Sequence, residues 1–513
     1  MSKKKIFSVF GLVLLMAWLG LFFMRKIDLT TADLGRHLKN GELILNGQFG
    51  ILKTNFYSYT EPDYPMVNHH WGSGVIFYLI WKAFGFTGLS LFHLIVSLII
   101  FYLFFRIAWR ESNFKIAFLA ALLLIPLMAA RTEIRPEIFS YLFIALFFWI
   151  LWHWRKGEIK DKWLWLLPIL EIIWVNTHIY FIFGPALIGL FLVDRWISVK
   201  KINRKIGLCL ILTGLASLIS PFGLKGLLYP FNIFRDYGYR IVENQSVWFL
   251  ENWGWQHPNL TLFELSFAVL AVSFILLLIK NRRNFSFIYF CSALVVSAMA
   301  WLAIRNFTLF GFFALPIIAY QLKKALGKRA GFKSIEAKMF FGFLGLTIFL
   351  VCFAVYYSRL PLQKARFGFD LLPGNNLSAQ FFRETGLKGP IFNNYDIGGY
   401  LIYHFYPQEK VFTDNRPEAY SIGHFQETYI PAQQDNQAWQ ELDKQYNFNI
   451  IFFSHRDYTP WGQQFLIERV NDGNWLPIMA DNYAIIFIKN NQTNQEIIKQ
   501  YQIPREYFGV KKQ

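Results

Sequence analysis

The residues whose types and spacing suit chemistry gather in one polar stretch, Asp28 to Trp71, which lies between two strongly apolar regions. Asp33 and His37 stand four apart in a segment of helical spacing, so both face one side of a short helix. Asp63, His69 and His70 follow in the same stretch. Other ionisable groups sit in polar turns between apolar runs: Arg131, Glu133, Arg135 and Glu137 in RTEIRPE, Asn176 and His178 in NTH, and Arg305 beside Asn306. Lys225, Arg235, Asp236, Arg240 and Glu243 fall in a longer segment, 221 to 260, and frame a further candidate headgroup site. Ionisable side chains at the edge of hydrocarbon are costly unless they face a cavity or a partner, which makes these turns functional candidates. The inventory suits transfer of a sugar from a phosphorylated lipid. That reaction needs a carboxylate to take the proton of a hydroxyl acceptor and cations to hold the departing phosphate. Asp33 is the candidate base. Arg131, Arg135 and Arg305 are candidates for the phosphate clamp, because guanidinium offers paired, directional donors. His37, Glu133 and Lys225 are further donor-site candidates, with Asp63, His69, His70, Asn176 and His178 as secondary ones. The chemistry requires no nucleotide or redox cofactor.

Every one of these assignments has a structural counterpart. Asp33 also suits capping a helix or pairing with Arg36. His37, His69 and His70 invite comparison with a metal set, but their spacing matches no zinc pattern, and aromatic packing accounts for them as well. RTEIRPE equally suits internal salt bridges, and Asn176 and His178 suit satisfying a turn. The short motifs NYD at 394 and TDNR at 413 read as turns between strands.

The elements that position these groups follow from composition. Of 513 residues, 55% are apolar and 19% aromatic, and 56 Phe recur in runs bounded by Lys and Arg, the pattern of a polytopic membrane protein. The net charge of +18 is topological and does not point to a nucleic-acid partner: residues 1–358 hold 36 Lys and Arg against 17 acids, and 359–513 hold 15 against 16. Cys209, Cys291 and Cys352 all lie in apolar runs and form neither a disulfide framework nor a metal cluster. Residues 6–24 are an uncharged run of spanning length after SKKK, read as an uncleaved first span.

Spans are expected near 88–106, 115–130, 136–152, 163–175, 177–193, 206–220, 261–279, 285–304, 307–322 and 339–357, which with the first make about 11 transmembrane helices. Residues 71–84 are too short to span and read as a juxtamembrane helix. The basic loops then fall on one side, placing the N-terminus in the cytoplasm and the loops 25–87 and 221–260 outside. Residues 1–357 form the membrane domain. Residues 358–513 read as an extracytoplasmic α/β domain, with strands at GPIFNN, KVFTD, NIIFFS and YAIIFIK, and helices at NLSAQFFRETG, GGYLIYHF, NQAWQELDKQYN and WGQQFLIERVND.

DLGRHLKNGELI, followed by TNFYSYTEPDYPMVNHHWGSG, resembles the first outer loop of bacterial polytopic proteins related to the C-fold glycosyltransferases that use polyprenyl-phosphate-linked sugars. Asp33 and His37 match the first family segment, Tyr57 to Thr60 the second and Asn68 to Trp71 the third. RPEIFSYLF, WVNTHIYFIFG, SPFG, RNFTLFGFFALPI, GPIFNNYDIGGYLIY and KVFTDNRPEAY resemble later segments, so the likeness spans most of the chain. It implies a C-fold glycosyltransferase in the cytoplasmic membrane, acting at the outer face, with Asp33 at the general-base position. The donor implied is a polyprenyl-phosphate sugar and the acceptor a lipid, glycan or protein. A divalent cation serves some branches and not others. Ala32 and Arg36 stand where relatives often carry an acid and a tryptophan, and Asn55 replaces a frequent acid, so activity or acceptor choice is expected to differ. A lipid or glycan transporter is the first rival, but the sequence has no paired internal repeats of that kind. A non-catalytic envelope-glycan assembly protein is the second.

Overall fold

The structure is a computed structural model describing residues 3–31, 33–200, 203–232, 235–327, 353 and 366–509. The chain divides into two compact units. The first comprises Met1–Lys26, Ser90–Leu227 and Ile241–Phe369, and the second Ile27–Leu89, Leu228–Arg240 and Asp370–Gln513. The boundary expected at 357/358 lies outside the described residues, as does the span expected at 339–357 apart from Phe353.

Helices occur at all ten other expected spans: α1 (Lys3–Phe23), then after a short α2 (Leu34–Leu45), α3 (Trp71–Glu111), α4 (Phe114–Met128), α5 (Glu137–Arg155), α6 (Leu166–Val175), α7 (Phe183–Val199), α8 (Arg204–Ala216), and beyond the short α9 (Gly223–Leu228) and α10 (Val247–Asn252), α11 (Pro258–Asn281), α12 (Phe287–Leu302) and α13 (Phe307–Leu326). Among the described residues six helical segments are long and apolar enough to cross a membrane, while α4 and α12 are shorter. Lipid cannot hydrogen-bond the backbone, so each segment satisfies its own amides as helix, and side chains close the start of some of them. Asn113 caps α4 and Ser286 caps α12, and His257 caps α11 ahead of Pro258. In the first unit α13 packs along α4 and α11. Glu111 accepts hydrogen bonds from Trp152 Nε1 (2.7 Å) and Tyr289 Oη (3.1 Å) and pairs with Lys156 at 2.9 Å, tying α3, α5 and α12 at one end.

The segment 71–84 is helical as expected, and it runs into the next span as one 41-residue element with a break at Gly85 (φ 63°, ψ −164°). At 1.5 Å per residue such a length reaches about 60 Å, twice the hydrocarbon thickness, and the break separates the short segment from the apolar run that follows it. A positive φ is strain-free only for glycine.

The first polar loop belongs to the second unit together with the tail, not with the spans that flank it in sequence. Backbone hydrogen bonds explain this grouping. Tyr59 N donates to Val411 O and Val411 N to Tyr57 O, both at 3.2 Å, and the Tyr59 hydroxyl donates to Ile391 O at 2.8 Å. KVFTD, expected as a strand of the sheet, therefore forms only a bridge between Val411 and Ser58. The sheet is β1 (Ile391–Asn393), β2 (Ile450–Ser454), β3 (Trp475–Ala480) and β4 (Ala484–Lys489), in the order β1-β2-β4-β3, with β1 parallel to β2 and the other pairs antiparallel. β3, WLPIMA, was not expected as a strand. Its Pro477 and a register shift before Met479 interrupt the alternation that marks a strand in sequence. β2 is buried at every position, so both faces are covered. Ile451 and Phe453 point into a core with Trp439 and Phe465, while Phe452 meets Phe382, Tyr400 and Phe405 on the other face. The four tail helices expected from sequence are present as Leu377–Glu384, Gly398–Phe405, Asn436–Tyr446 and Pro460–Asn471.

Within the second unit α2 is held by close backbone approaches. A Cβ on Gly41 would overlap the carbonyl oxygen of Gly74, and one on Gly74 would lie 2.8 Å from His37 O. Gly41→Ala is therefore expected to destabilise the protein by about 1–3 kcal/mol, as overpacking does. The check is the thermal midpoint of the detergent-purified variant, and an unchanged midpoint would contradict this packing.

Candidate active-site residues

Asp33 lies immediately before α2, where its side chain makes no capping hydrogen bond to the helix. Its carboxylate is turned instead to Asn415, whose Nδ2 donates to Asp33 Oδ1, and to Arg36, whose Nη2 lies 3.5 Å from Oδ2. Arg36 Nε donates to Asn415 Oδ1 at 3.2 Å, closing a triangle. Asp33 keeps a quarter of its side chain exposed while Arg36 is buried. The 414–416 segment that supplies Asn415 is itself fixed. Arg416 is paired to Asp414 through two hydrogen bonds of 2.6 and 2.5 Å, and it also donates to Asn55 Oδ1 at 2.9 Å. The Arg416 guanidinium also covers the Tyr57 ring at 5.3 Å.

His37 is buried one turn along α2 and packs edge-on against His70 (5.7 Å between ring centres) and Phe77. The His69 and His70 rings lie tilted to each other with centres 3.8 Å apart, and His69 meets Tyr229. These three histidines make ring contacts, and among the described residues no three His, Cys, Asp or Glu side chains are placed to hold a metal ion together. Asp63 lies in an exposed turn of the same unit.

Two further acids stand in this unit, Asp457 and, within the NYD motif that reads as a turn in the sequence, Asp396. Asp457 is buried and accepts from Asn394 Nδ2 at 3.0 Å and from Thr459. Asp396 is exposed, yet loss of hydration at its site, then the carboxylates of Asp457 and Asp33, push it up to about 7. An acid raised above its unfolded value of about 3.9 favours the fold while protonated, and that advantage is lost as pH rises through 7. Asp396→Asn is expected to raise the thermal midpoint at pH 8.5 and to leave it unchanged near pH 4. An equal shift at both pH values would rule out the charge as its cause.

The first unit holds the arginines. Arg131 Nε donates to Glu137 Oε1 at 2.6 Å and its Nη1 to Glu243 Oε2 at 2.5 Å. Arg135 Nη2 donates to Glu133 at 2.8 Å, and its Nη1 to Glu243 at 3.3 Å. Arg305 Nη1 donates to Asn244 Oδ1 at 2.8 Å, and Arg305 lies 3.9 Å from Glu137; its Nε is buried with no acceptor among the described residues. Burial opposes charge on Glu243, but Arg131, Arg135 and Arg305 outweigh it and hold the carboxyl below the usual carboxylate range. Glu133 is likewise held low by Arg135, Arg25 and Arg131 against the cost of burial. A small pocket opens beside Arg131, Glu133, Arg135 and Glu137, walled by His93, Ser97 and Thr308. RTEIRPE therefore does form internal salt bridges, and it does so around a pocket.

The remaining candidates are not in either cluster. Asn176 Nδ2 donates to the carbonyls of Ile172 and Ile219, and His178 Nδ1 lies 2.7 Å from Ser140 Oγ at a helix start, so both satisfy local structure. Lys225 is exposed on the short α9. Asp236 accepts from Gly238 N in a turn. Asn415 escaped the sequence reading because it lies 382 residues from Asp33, beyond the reach of any local pattern.

No protein-family model matches the sequence, and no curated protein matches it either. Solved structures do. The archaeal oligosaccharyltransferase AglB from Archaeoglobus fulgidus, in complex with an inhibitory peptide and a dolichol-phosphate, superposes with a TM-score of 0.60 at 12% identity, over 96% of this chain and 75% of that one. An Archaeoglobus fulgidus oligosaccharyltransferase tethered to an acceptor peptide gives 0.63 at 13%. ArnT from Cupriavidus metallidurans bound to undecaprenyl phosphate gives 0.52 at 13%, over 93% of this chain and 97% of that one. At such identities the likeness is one of fold, and the fold of this chain resembles that of AglB and ArnT.

Proposed function

We propose that this chain is an integral-membrane glycosyltransferase that moves a sugar from a polyprenyl-phosphate-linked donor to a hydroxyl on a lipid, glycan or protein acceptor, at the outer face of the cytoplasmic membrane. The observation that carries the reading is the fold, shared over nearly the whole chain with ArnT bound to undecaprenyl phosphate. The side chains supply what such a transfer needs. Asp33 takes the acceptor proton as the acceptor oxygen bonds to the sugar's anomeric carbon, and the bond from that carbon to the phosphate oxygen breaks. Arg131, Arg135 and Arg305, with Arg25 donating to Thr132 at 3.1 Å nearby, outnumber Glu133, Glu137 and Glu243, and the excess positive charge suits the leaving lipid phosphate. Arg305 Nε–H is a donor still available to it.

The direct test is incubation of the purified protein with defined undecaprenyl-phosphate-linked sugars and candidate acceptors, with mass spectrometry of the products. A glycan product together with released undecaprenyl phosphate is expected. Absence of transfer from every donor, with no binding of undecaprenyl phosphate, would sink the reading. The outer-face assignment has its own check in intact cells: an impermeant thiol reagent labels a cysteine placed at Ser421 and spares one placed at Lys160.

A further inference from the structure

TDNR, 413–416, reads as a turn in the sequence, and the transfer chemistry does not by itself call on it. We infer that Asn415 is a positioning residue that holds the Asp33 carboxylate in one orientation, joining a tail segment to the general base; the inference rests on Asp33 being that base. The orientation of the amide is set by its partners. A guanidinium can only donate and a carboxylate can only accept, so the Asn415 oxygen must face Arg36 Nε and its nitrogen must face Asp33 Oδ1. With Oδ1 fixed, the plane of the carboxylate is fixed, and the partly exposed acid presents its remaining lone pairs in one direction. Arg36 is buried and lies at 3.5 Å, so it keeps a positive charge beside the acid without a short bond to Oδ2.

Asn415 can impose this orientation only if it cannot move itself, and its surroundings are rigid. Asn393 holds the preceding residues by donating to Thr413 O at 2.7 Å and accepting from Phe412 N at 2.9 Å. Asp414 and Arg416 on either side are fully buried and paired to each other. The facing helix, Gly398–Phe405, approaches so closely that a Cβ on Gly398 would lie 2.5 Å from the Asp414 Cα, and one on Gly399 would lie 3.3 Å from the Asn415 amide. Gly35 of α2 meets that same helix at the carbonyl of Gly399, 3.1 Å from where its Cβ would stand. The glycines thus bring the start of α2 and the 414–416 segment against one helix. Few residues other than an asparagine satisfy a cation and an anion at once over this short reach.

The test exchanges the two side chains in the full-length, detergent-purified protein. Asn415→Asp alone sets two carboxylates face to face and is expected to lower the thermal midpoint. Asp33→Asn combined with Asn415→Asp restores an amide–carboxylate pair and leaves the carboxylate able to meet Arg36, so the midpoint is expected to return towards wild type. Release of undecaprenyl phosphate from an undecaprenyl-phosphate-linked sugar is expected to stay at least about a hundredfold below wild type, because the base has moved. Asn415→Ala is expected to lower kcat by roughly ten- to a hundredfold while undecaprenyl phosphate binding is unchanged, since misplacement of a reacting group costs rate more than affinity. A midpoint that does not recover in the exchanged variant would overturn the pairing. An unchanged kcat in Asn415→Ala, or a loss shared equally with lipid binding, would overturn the positioning role. A wild-type protein that releases no undecaprenyl phosphate from any donor would instead overturn the glycosyltransferase reading, and with it the catalytic use of the pair, while the midpoints still report whether the pair exists.

Discussion

Asp33→Asn is expected to reduce the turnover of sugar transfer by roughly 100- to 10,000-fold, the usual worth of general-base action, while membrane insertion and binding of undecaprenyl phosphate persist. The substitution keeps size and shape and removes only the basic carboxylate. Its local cost is also predictable. The introduced amide can still accept the hydrogen bond from Asn415 through its own carbonyl oxygen, and Arg36 keeps its bond to Asn415 at 3.2 Å, so the fold around α2 is retained. A loss confined to kcat, measured by single turnover beside equilibrium lipid binding, is the signature of an interaction made in the transition state. Wild-type turnover in Asp33→Asn at saturating donor and acceptor would remove Asp33 from the mechanism.

How far the sequence reveals this arrangement depends on how local each signal is. Spans are written in consecutive apolar residues, and helices stand at every expected span within the described residues. The four tail helices carry 3.6-residue periodicity and were legible for the same reason. β3 was not, because a proline and a register shift break its alternation. KVFTD has the composition of a strand, but its backbone partner is the first polar loop at Ser58, a pairing set by tertiary packing alone. The candidate site divides in the same way. Asp33 stands out because it is an acid between apolar runs, and RTEIRPE because it packs four charges into seven residues. That Glu243 meets Arg131 across 112 residues, and Asn415 meets Asp33 across 382, leaves no trace in local spacing. The histidines were legible too: they cluster in sequence without a zinc spacing, which leaves aromatic packing, and their rings pack against one another.

Arg131→Ala is expected to destabilise the protein by about 3–5 kcal/mol at neutral pH, the cost of leaving a buried carboxylate without its counter-charge. Arg131 is the hub of the first unit's cluster. It reaches Glu137, whose side chain is only 6% exposed, and Glu243 at once. Arg135→Ala is expected to cost less, because its partners Glu133 and Glu243 are 31% and 24% exposed and water can replace part of the lost interaction. The pH dependence separates charge from packing. Glu243 is held below the ordinary carboxylate range in the fold, so its contribution is present above the unfolded value of about 4.3 and fades as pH falls towards the folded value. In Arg131→Ala much of that contribution is already gone, and protonation on acidification relieves the stranded Glu243. The gap in thermal midpoint between wild type and variant should therefore narrow from pH 7.5 to pH 4. A second substitution gives the same answer by another route: Glu137→Gln in the Arg131→Ala background removes the stranded charge and should recover part of the loss. A constant gap across pH, with no recovery in the double variant, would mean that the Arg131 side chain acts through its packing volume and not through its charge.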